Sequence, residues 1–197
     1  MKNKRLLITG FEPFGGETVN PSWEAVRQLP ERIGSYNLTK LQIPTVFGEA
    51  AEKILDKAAL LQPDVILCIG QAGGRDRVTP EVIGINLRES RIPDNAGNQP
   101  VNVPVVEKGP AAYFSTVPVR DMAAAIEAAG IPSALSYSAG AFVCNDVLYT
   151  LLHHYQGTQT QVGFIHVPYQ EEQAGEGSFS LPLAEIVRAL SAAISSL

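Results

Sequence analysis

The sequence predicts an α/β protein, a three-layer α/β/α sandwich around a central sheet that is mostly parallel or mixed. Three observations predict it. Short runs at residues 5–10 (RLLITG), 64–70 (DVILCIG) and 161–167 (QVGFIHV) are apolar almost throughout rather than at alternate positions, as strands covered on both faces require. Between them, apolar residues recur at three- and four-residue spacing, the pattern of helices packed by one face. The chain has 197 residues, 45% of them hydrophobic. That is enough for one domain with a full core over residues 1–197, and no linker or internal repeat divides it.

Taken in order, residues 5–10 form a buried strand ending in glycine, and residues 11–16 (FEPFGG) form a loop that holds two phenylalanines. Asn20 before Pro21 starts a helix, a capping side chain followed by proline at the first helical position. Residues 38–43 read as a strand. Residues 47–61 read as a helix with Ala50, Ala51, Ile54, Leu55 and Ala58 on one face. The 64–70 strand contains Cys68, which reads as core packing. Ile83, Ile85 and Leu87 alternate with Gly84, Asn86 and Arg88, a half-exposed strand. Residues 89–112 hold Pro, Gly and Asn without a period, a long loop of the kind that usually carries function. Val119, Met122, Ala123 and Ile126 mark a helix stopped at Gly130. Residues 131–137 read as a buried strand leading into a turn of small residues. Val147, Leu148, Leu151, Leu152 and Tyr155 then give the next helix its apolar face. The 161–167 strand, a loop over 169–178 and a last amphipathic helix through Ile186, Val187, Leu190 and Ile194 complete the chain.

Composition excludes several classes. The net charge is −5 with no basic patch, so nucleic acid is not a partner. No apolar run reaches membrane-span length, and Leu6 to Ile8 is too short for a signal peptide, which makes the cytoplasm the default address. The two cysteines, Cys68 and Cys144, show neither a C-x-x-C pair nor a zinc spacing, so no metal is expected and both thiols are free in a reducing compartment. His153 and His154 close a helix, where imidazoles suit the dipole.

In open α/β sheets, ligands gather beyond the carboxyl ends of the strands. That rule collects Phe11 and Phe14, Gln71, the Cys144 turn and His166. Cys144 sits at the start of a helix, where unpaired N–H groups and the dipole lower a thiol pKa towards a working thiolate. A cysteine at a helix start and a histidine at a strand end can converge for nucleophilic catalysis. Glu81 and Asp94 are both candidates to orient the imidazole, and spacing does not choose between them. Arg75, Arg77, Arg88 and Arg91 read either as surface charge or, beside Gly73 and Gly74, as a phosphate site. The second reading makes a phosphate-dependent group-transfer enzyme the rival class. A non-enzymatic binding or assembly protein is the third, and it leaves the glycine-rich strand ends without a reason.

Five motifs occur in order: TGFEPFGG with NPSWEA, GQAGGR with TPE, RIPDNAGNQP, SYSAGAFVCN and GFIHVPY. With them the chain resembles the pyroglutamyl peptidase I (pyrrolidone-carboxylate peptidase) family of cysteine peptidases, from about residue 5 to residue 170. The resemblance implies a Glu81, Cys144 and His166 triad, hydrolysis of the amide after an N-terminal pyroglutamyl (5-oxoprolyl) residue of peptides, and no cofactor. It implies that Phe11, Phe14, Gln71 and Phe142 line the lactam pocket and that Arg91 stabilises the oxyanion beside the Cys144 backbone N–H. It also implies a homo-oligomer, a tetramer in many members.

Overall fold

The computed structural model describes residues 3–175 and 177–197. It begins with β1 (Lys4–Phe11), α1 (Pro21–Gln28), β2 (Arg32–Ile33), β3 (Tyr36–Ile43), α2 (Glu49–Leu61) and β4 (Val65–Gln71). Three short strands follow, β5 (Thr79–Pro80), β6 (Ile83–Ile85) and β7 (Ala112–Phe114), then α3 (Val119–Ala128) and α4 (Val143–His154). The chain ends with β8 (Gln161–Val167), β9 (Tyr169–Gln170), a 3₁₀ turn (Glu171–Gln173), β10 (Ser180–Leu181) and α5 (Leu183–Ser195). Asn20 caps α1 as expected, its side-chain oxygen accepting from the Ser22 N–H, with Pro21 opening the helix.

The central sheet has the order β2-β3-β1-β4-β8-β5. Its four inner strands are parallel and its two edge strands antiparallel, so the sheet is mixed. Because β1, β4 and β8 are buried on both faces, successive residues serve opposite cores. Leu6, Ile8, Leu67, Ile69 and Ile165 pack with α1, α3 and α5. Leu7, Ile66, Cys68, Val162 and Phe164 pack with α2 and α4. This is the three-layer sandwich, and it accounts for strand runs that are apolar without alternation. The register pairs Thr9 with Cys68 and Gly70 with His166, so the carboxyl ends of β1, β4 and β8 lie side by side.

One expected strand is different. Residues 131–137 do not enter the sheet as a buried strand but run as an extended segment along residues 78–82. The Val78 N–H donates to the Pro132 carbonyl (3.0 Å), the Ser136 N–H to that of Pro80 (3.0 Å) and the Val82 N–H to that of Ser136 (2.8 Å). Pro80 and Pro132 have no N–H to donate, so the ladder is broken. The segment leaves Tyr137 63% exposed. The turn that leads to Cys144 therefore springs from the sheet edge, not its centre.

Between β6 and β7 the long loop forms no helix or strand, as expected, yet it is tied along its length. The Asn86 side chain donates to the Val106 and Gly109 carbonyls, and Arg88 pairs with Asp146 at 2.6 Å. Short strands such as β2 and β7 carry too few residues to show a period, so the sequence gives no sign of them. Cys68 is core, and His153 lies in the last turn of α4 with its Nδ1 2.9 Å from the Tyr113 hydroxyl.

Candidate active site

The start of α4 is the centre of the site. Gly140 takes φ +77°, a backbone region that suits glycine, and turns the chain into Phe142, the extended N-cap residue. Cys144 is then the second helical residue, and no side chain caps the helix, so first-turn N–H groups stay available to an anion. The neighbours of Cys144 fix this end. The Asn145 amide accepts from the Ile85 N–H and donates to the Ile85 and Leu87 carbonyls. The Asp146 carboxylate accepts from the Gly48 N–H and Arg88. The signal for these anchors in the sequence is a polar pair directly after the cysteine, in a helix whose other buried positions are apolar.

Beneath the sulfur lies Gly70. A Cβ there would stand 2.9 Å from Cys144 Sγ and 2.7 Å from the Phe164 ring. The glycine thus leaves room for the Cys144 sulfur, a role that the GQAGGR motif did not reveal. Across the register from Gly70 is His166, buried at the end of β8. Its Nδ1 lies 2.7 Å from Glu81 Oε1, which leaves Nε2 to exchange protons. Glu81 follows β5, its N–H donating to the Phe164 carbonyl at 2.9 Å. Asp94 is elsewhere. Its carboxylate accepts from the N–H groups of Phe47, Ala96 and Asn98 and shapes a turn. Between the two acids left open by spacing, the geometry gives the imidazole to Glu81.

Arg75, read from sequence as surface charge or phosphate ligand, is part of this constellation. Its Nη1 donates to the same Glu81 oxygen at 2.7 Å, and its Nη2 to the Ser138 carbonyl at 3.0 Å. Arg77 pairs with Asp76 and Arg88 with Asp146. Three of the four arginines therefore already hold carboxylates, which removes the proposed phosphate site.

Burial dominates the electrostatics. It tends to raise Glu81, but the His166 hydrogen bond and charge and the Arg75 guanidinium outweigh it and hold the acid below its ordinary value. Burial, with a contribution from the Arg75 charge, lowers His166 although Glu81 raises it. Since burial disfavours the imidazolium, at neutral pH it is the hydrogen bond and Arg75 that keep Glu81 ionised. Burial, then the Glu81 charge, push the Cys144 thiol up to about 12. Burial thus opposes the lowering expected from the helix start, and it favours the neutral thiol and the neutral imidazole over their charged forms.

Cys144 and His166 line one cavity of about 290 Å³ together with Phe11, Phe14, Gln71 and Phe142. Phe142 meets Phe14 at 6.0 Å between ring centroids and Phe47 edge-on at 5.3 Å. Phe11 serves both core and cavity. Gln71 accepts from the Gln173 amide at 3.2 Å, and Asn20 and Thr45 add further polar groups. Glu12 stitches the loops around the cavity: its carboxylate accepts from the Thr45 N–H and the Asn95 amide, its carbonyl from Asn20 and Thr45. Arg91 is not among the cavity residues. It is exposed in an adjoining cleft, across the 140–142 turn. Among the described residues no His, Cys, Asp and Glu cluster could hold a metal.

Such a cavity can bury a small flat ring against aromatic faces, read its polar edge with amides, and present it to a thiol backed by a histidine–carboxylate pair. Comparison with known proteins points the same way. A family model described as pyroglutamyl peptidase matches residues 4–197. A pyrrolidone-carboxylate peptidase of Levilactobacillus brevis is 51% identical, covering 96% of this chain and 95% of the relative. One from Escherichia fergusonii is 50% identical, covering 97% and 91%. The crystal structure of pyroglutamyl peptidase I from Bacillus amyloliquefaciens superposes with a TM-score of 0.95 at 46% identity, covering all of this chain and 95% of that one.

Proposed function

The chain belongs to the pyroglutamyl peptidase family, and from that premise we propose that it is a cysteine exopeptidase that hydrolyses the amide after an N-terminal pyroglutamyl residue, working as one catalytic unit over residues 1–197. The observation that carries the reading is the 2.7 Å pairing of His166 with Glu81 at the wall of the phenylalanine-lined cavity that Cys144 also lines.

Pyroglutamate is small, neutral and planar. Phe11, Phe14 and Phe142 bury its faces, and Gln71 reads its lactam edge. An ordinary N-terminus would have to desolvate an ammonium with no carboxylate among the lining residues to receive it, a cost that excludes most peptides. In the reaction His166 Nε2 takes the Cys144 proton as Sγ attacks the pyroglutamyl carbonyl carbon. General-base transfer is needed because the resting thiol is neutral. The uncapped N–H groups at the start of α4, the Cys144 N–H among them, receive the oxyanion. As the intermediate collapses, the imidazolium protonates the leaving amine, and a thioester remains on Cys144. Water, losing its proton to His166, attacks the thioester; pyroglutamate leaves and the thiol regains its proton. Glu81 fixes the imidazole tautomer and stabilises its charged form. No step calls for a cofactor.

A free nucleophilic thiol works best in a reducing compartment, which supports a cytoplasmic address. Exposed Val101, Phe114 and Tyr137 supply apolar surface for the homo-oligomer that the family resemblance implies, a state that sedimentation would measure. The deciding assay is release of a fluorogenic amine from its pyroglutamyl amide, with and without iodoacetamide. Turnover abolished by the reagent and protected by a pyroglutamyl analogue is the expected result. Turnover that survives alkylation would sink the nucleophile.

A further inference from the structure

Two clefts share lining residues with the catalytic cavity, and each offers a path for the rest of a bound peptide. The first lies between residues 74–79 and 134–138 and shares Arg75 and Ser138 with the cavity. That boundary is latched by the Arg75 hydrogen bond to the Ser138 carbonyl, with the other arm of the guanidinium held by Glu81. The second, about 650 Å³, lies between residues 89–92 and 140–142 and shares Gly140 and Phe142 with the cavity. Its two walls are joined by the Glu89 N–H donating to the Ala141 carbonyl at 3.0 Å. Phe142, two residues before the nucleophile, is the partition between the two spaces.

We propose that this second cleft binds the residue that follows pyroglutamate and selects an apolar side chain there. The inference rests on the peptidase reading above and names the part of the substrate that reading leaves open. With the lactam ring against Phe142 and the carbonyl carbon at Cys144, the leaving amine emerges beside the 140–142 turn. The cleft offers it Ala141, the Phe142 ring and Ile92, an aliphatic side chain 46% exposed. Glu89 and Arg91 are exposed here and enter no ion pair among the described residues. Opposite charges of equal number give little net preference for a charged side chain, so apolar area decides.

The test is kcat/KM for pyroglutamyl-glycinamide, pyroglutamyl-leucinamide and pyroglutamyl-aspartamide. Leucinamide is expected to exceed glycinamide by about ten-fold, equivalent to about 1.4 kcal/mol, and to exceed aspartamide at least as much. Ile92→Asp should collapse the leucine-to-glycine ratio towards one, while Ile92→Leu keeps it. If glycinamide is cleaved and the series is flat, the cleft assignment is overturned and the peptidase reading stands. A ratio that Ile92→Asp leaves intact overturns it equally. Failure to cleave any of the three amides overturns the peptidase reading, and this inference with it.

Discussion

The middle of β4 and the start of α4 each present a cysteine to the same apolar layer, and the two behave alike in one respect. Burial pushes both thiols up to about 12. Intrinsic acidity therefore does not separate Cys68 from Cys144. Cys68 is sealed in the layer among aliphatic side chains. Cys144 opens onto a cavity that it shares with His166, on a helix end with uncapped N–H groups. What separates Cys144 from Cys68 is access and a histidine on the same cavity, not thiol acidity. The largest expected effect tests this directly. Cys144→Ala should lower kcat by at least about 10⁴-fold with folding retained, as loss of a nucleophile does. Measured on the pyroglutamyl fluorogenic amide, residual activity near wild type would erase the distinction.

Gly70, two residues after Cys68, links the two regions. Gly70→Ala should push Sγ from its seat, because the new methyl would meet sulfur and the Phe164 ring. A displacement of order 1 Å costs about 10²-fold in rate. The loss should fall on kcat, with KM for the same amide little changed. Wild-type kcat in a folded Gly70→Ala protein would show that the glycine does not hold the sulfur's place.

The layers were legible because β1, β4 and β8 are apolar throughout and the helices keep their period, so pattern and packing agree. Of the cavity lining, sequence placed Cys144 at a helix start, His166 at a strand end and the phenylalanines of the first loop. It did not place those whose work depends on a partner far along the chain. Arg75 becomes a clamp only when residues 131–138 return beside it, and Gly70 matters only because α4 lands above it. Residues 131–137 misled for a local reason, since an apolar run interrupted by Pro132 pairs at an edge rather than in the interior. The thiol acidity misled because a helix end is visible in sequence while the burial that outweighs it is not. Glu81 over Asp94 came from family resemblance, and the hydrogen bond to His166 supplies the physical ground.

A smaller effect sharpens the role of the base. His166 must be neutral to take the thiol proton. Burial, with a contribution from the Arg75 charge, lowers it below its ordinary 6.5, whereas Glu81 pulls the other way. Activity should therefore persist below pH 6.5 and fall only as pH drops through the lowered value. Arg75→Gln removes a lowering charge from a site where Glu81 and Cys144 are the other ionisable groups, so the acid limb of kcat/KM should move to higher pH. The variant's loss relative to wild type should be larger at pH 6 than at pH 8. Arg75→Lys keeps the charge but not the two-armed geometry, so its limb should stay in place even if kcat falls. An unmoved limb in Arg75→Gln would reduce Arg75 to a structural tie.

The smallest effect on rate belongs to Cys68→Ala, and its value lies in the contrast with Cys144→Ala. The sulfur of Cys68 fills space at the sheet face among Leu7, Ile66 and Phe164. Removing it leaves a void that the parallel strands cannot close, since their register is fixed on both sides. Stability should fall by about 1–2 kcal/mol, read from a urea midpoint. The folded fraction should turn over the fluorogenic amide within about three-fold of wild type, because the Cα trace of β4 still presents Gly70 beneath Cys144. A variant that folds to the same extent yet loses turnover by orders of magnitude would mean that Cys68 takes part in the chemistry. The division between a packed thiol and a reactive one, drawn above from access and a neighbouring base, would then have to be redrawn.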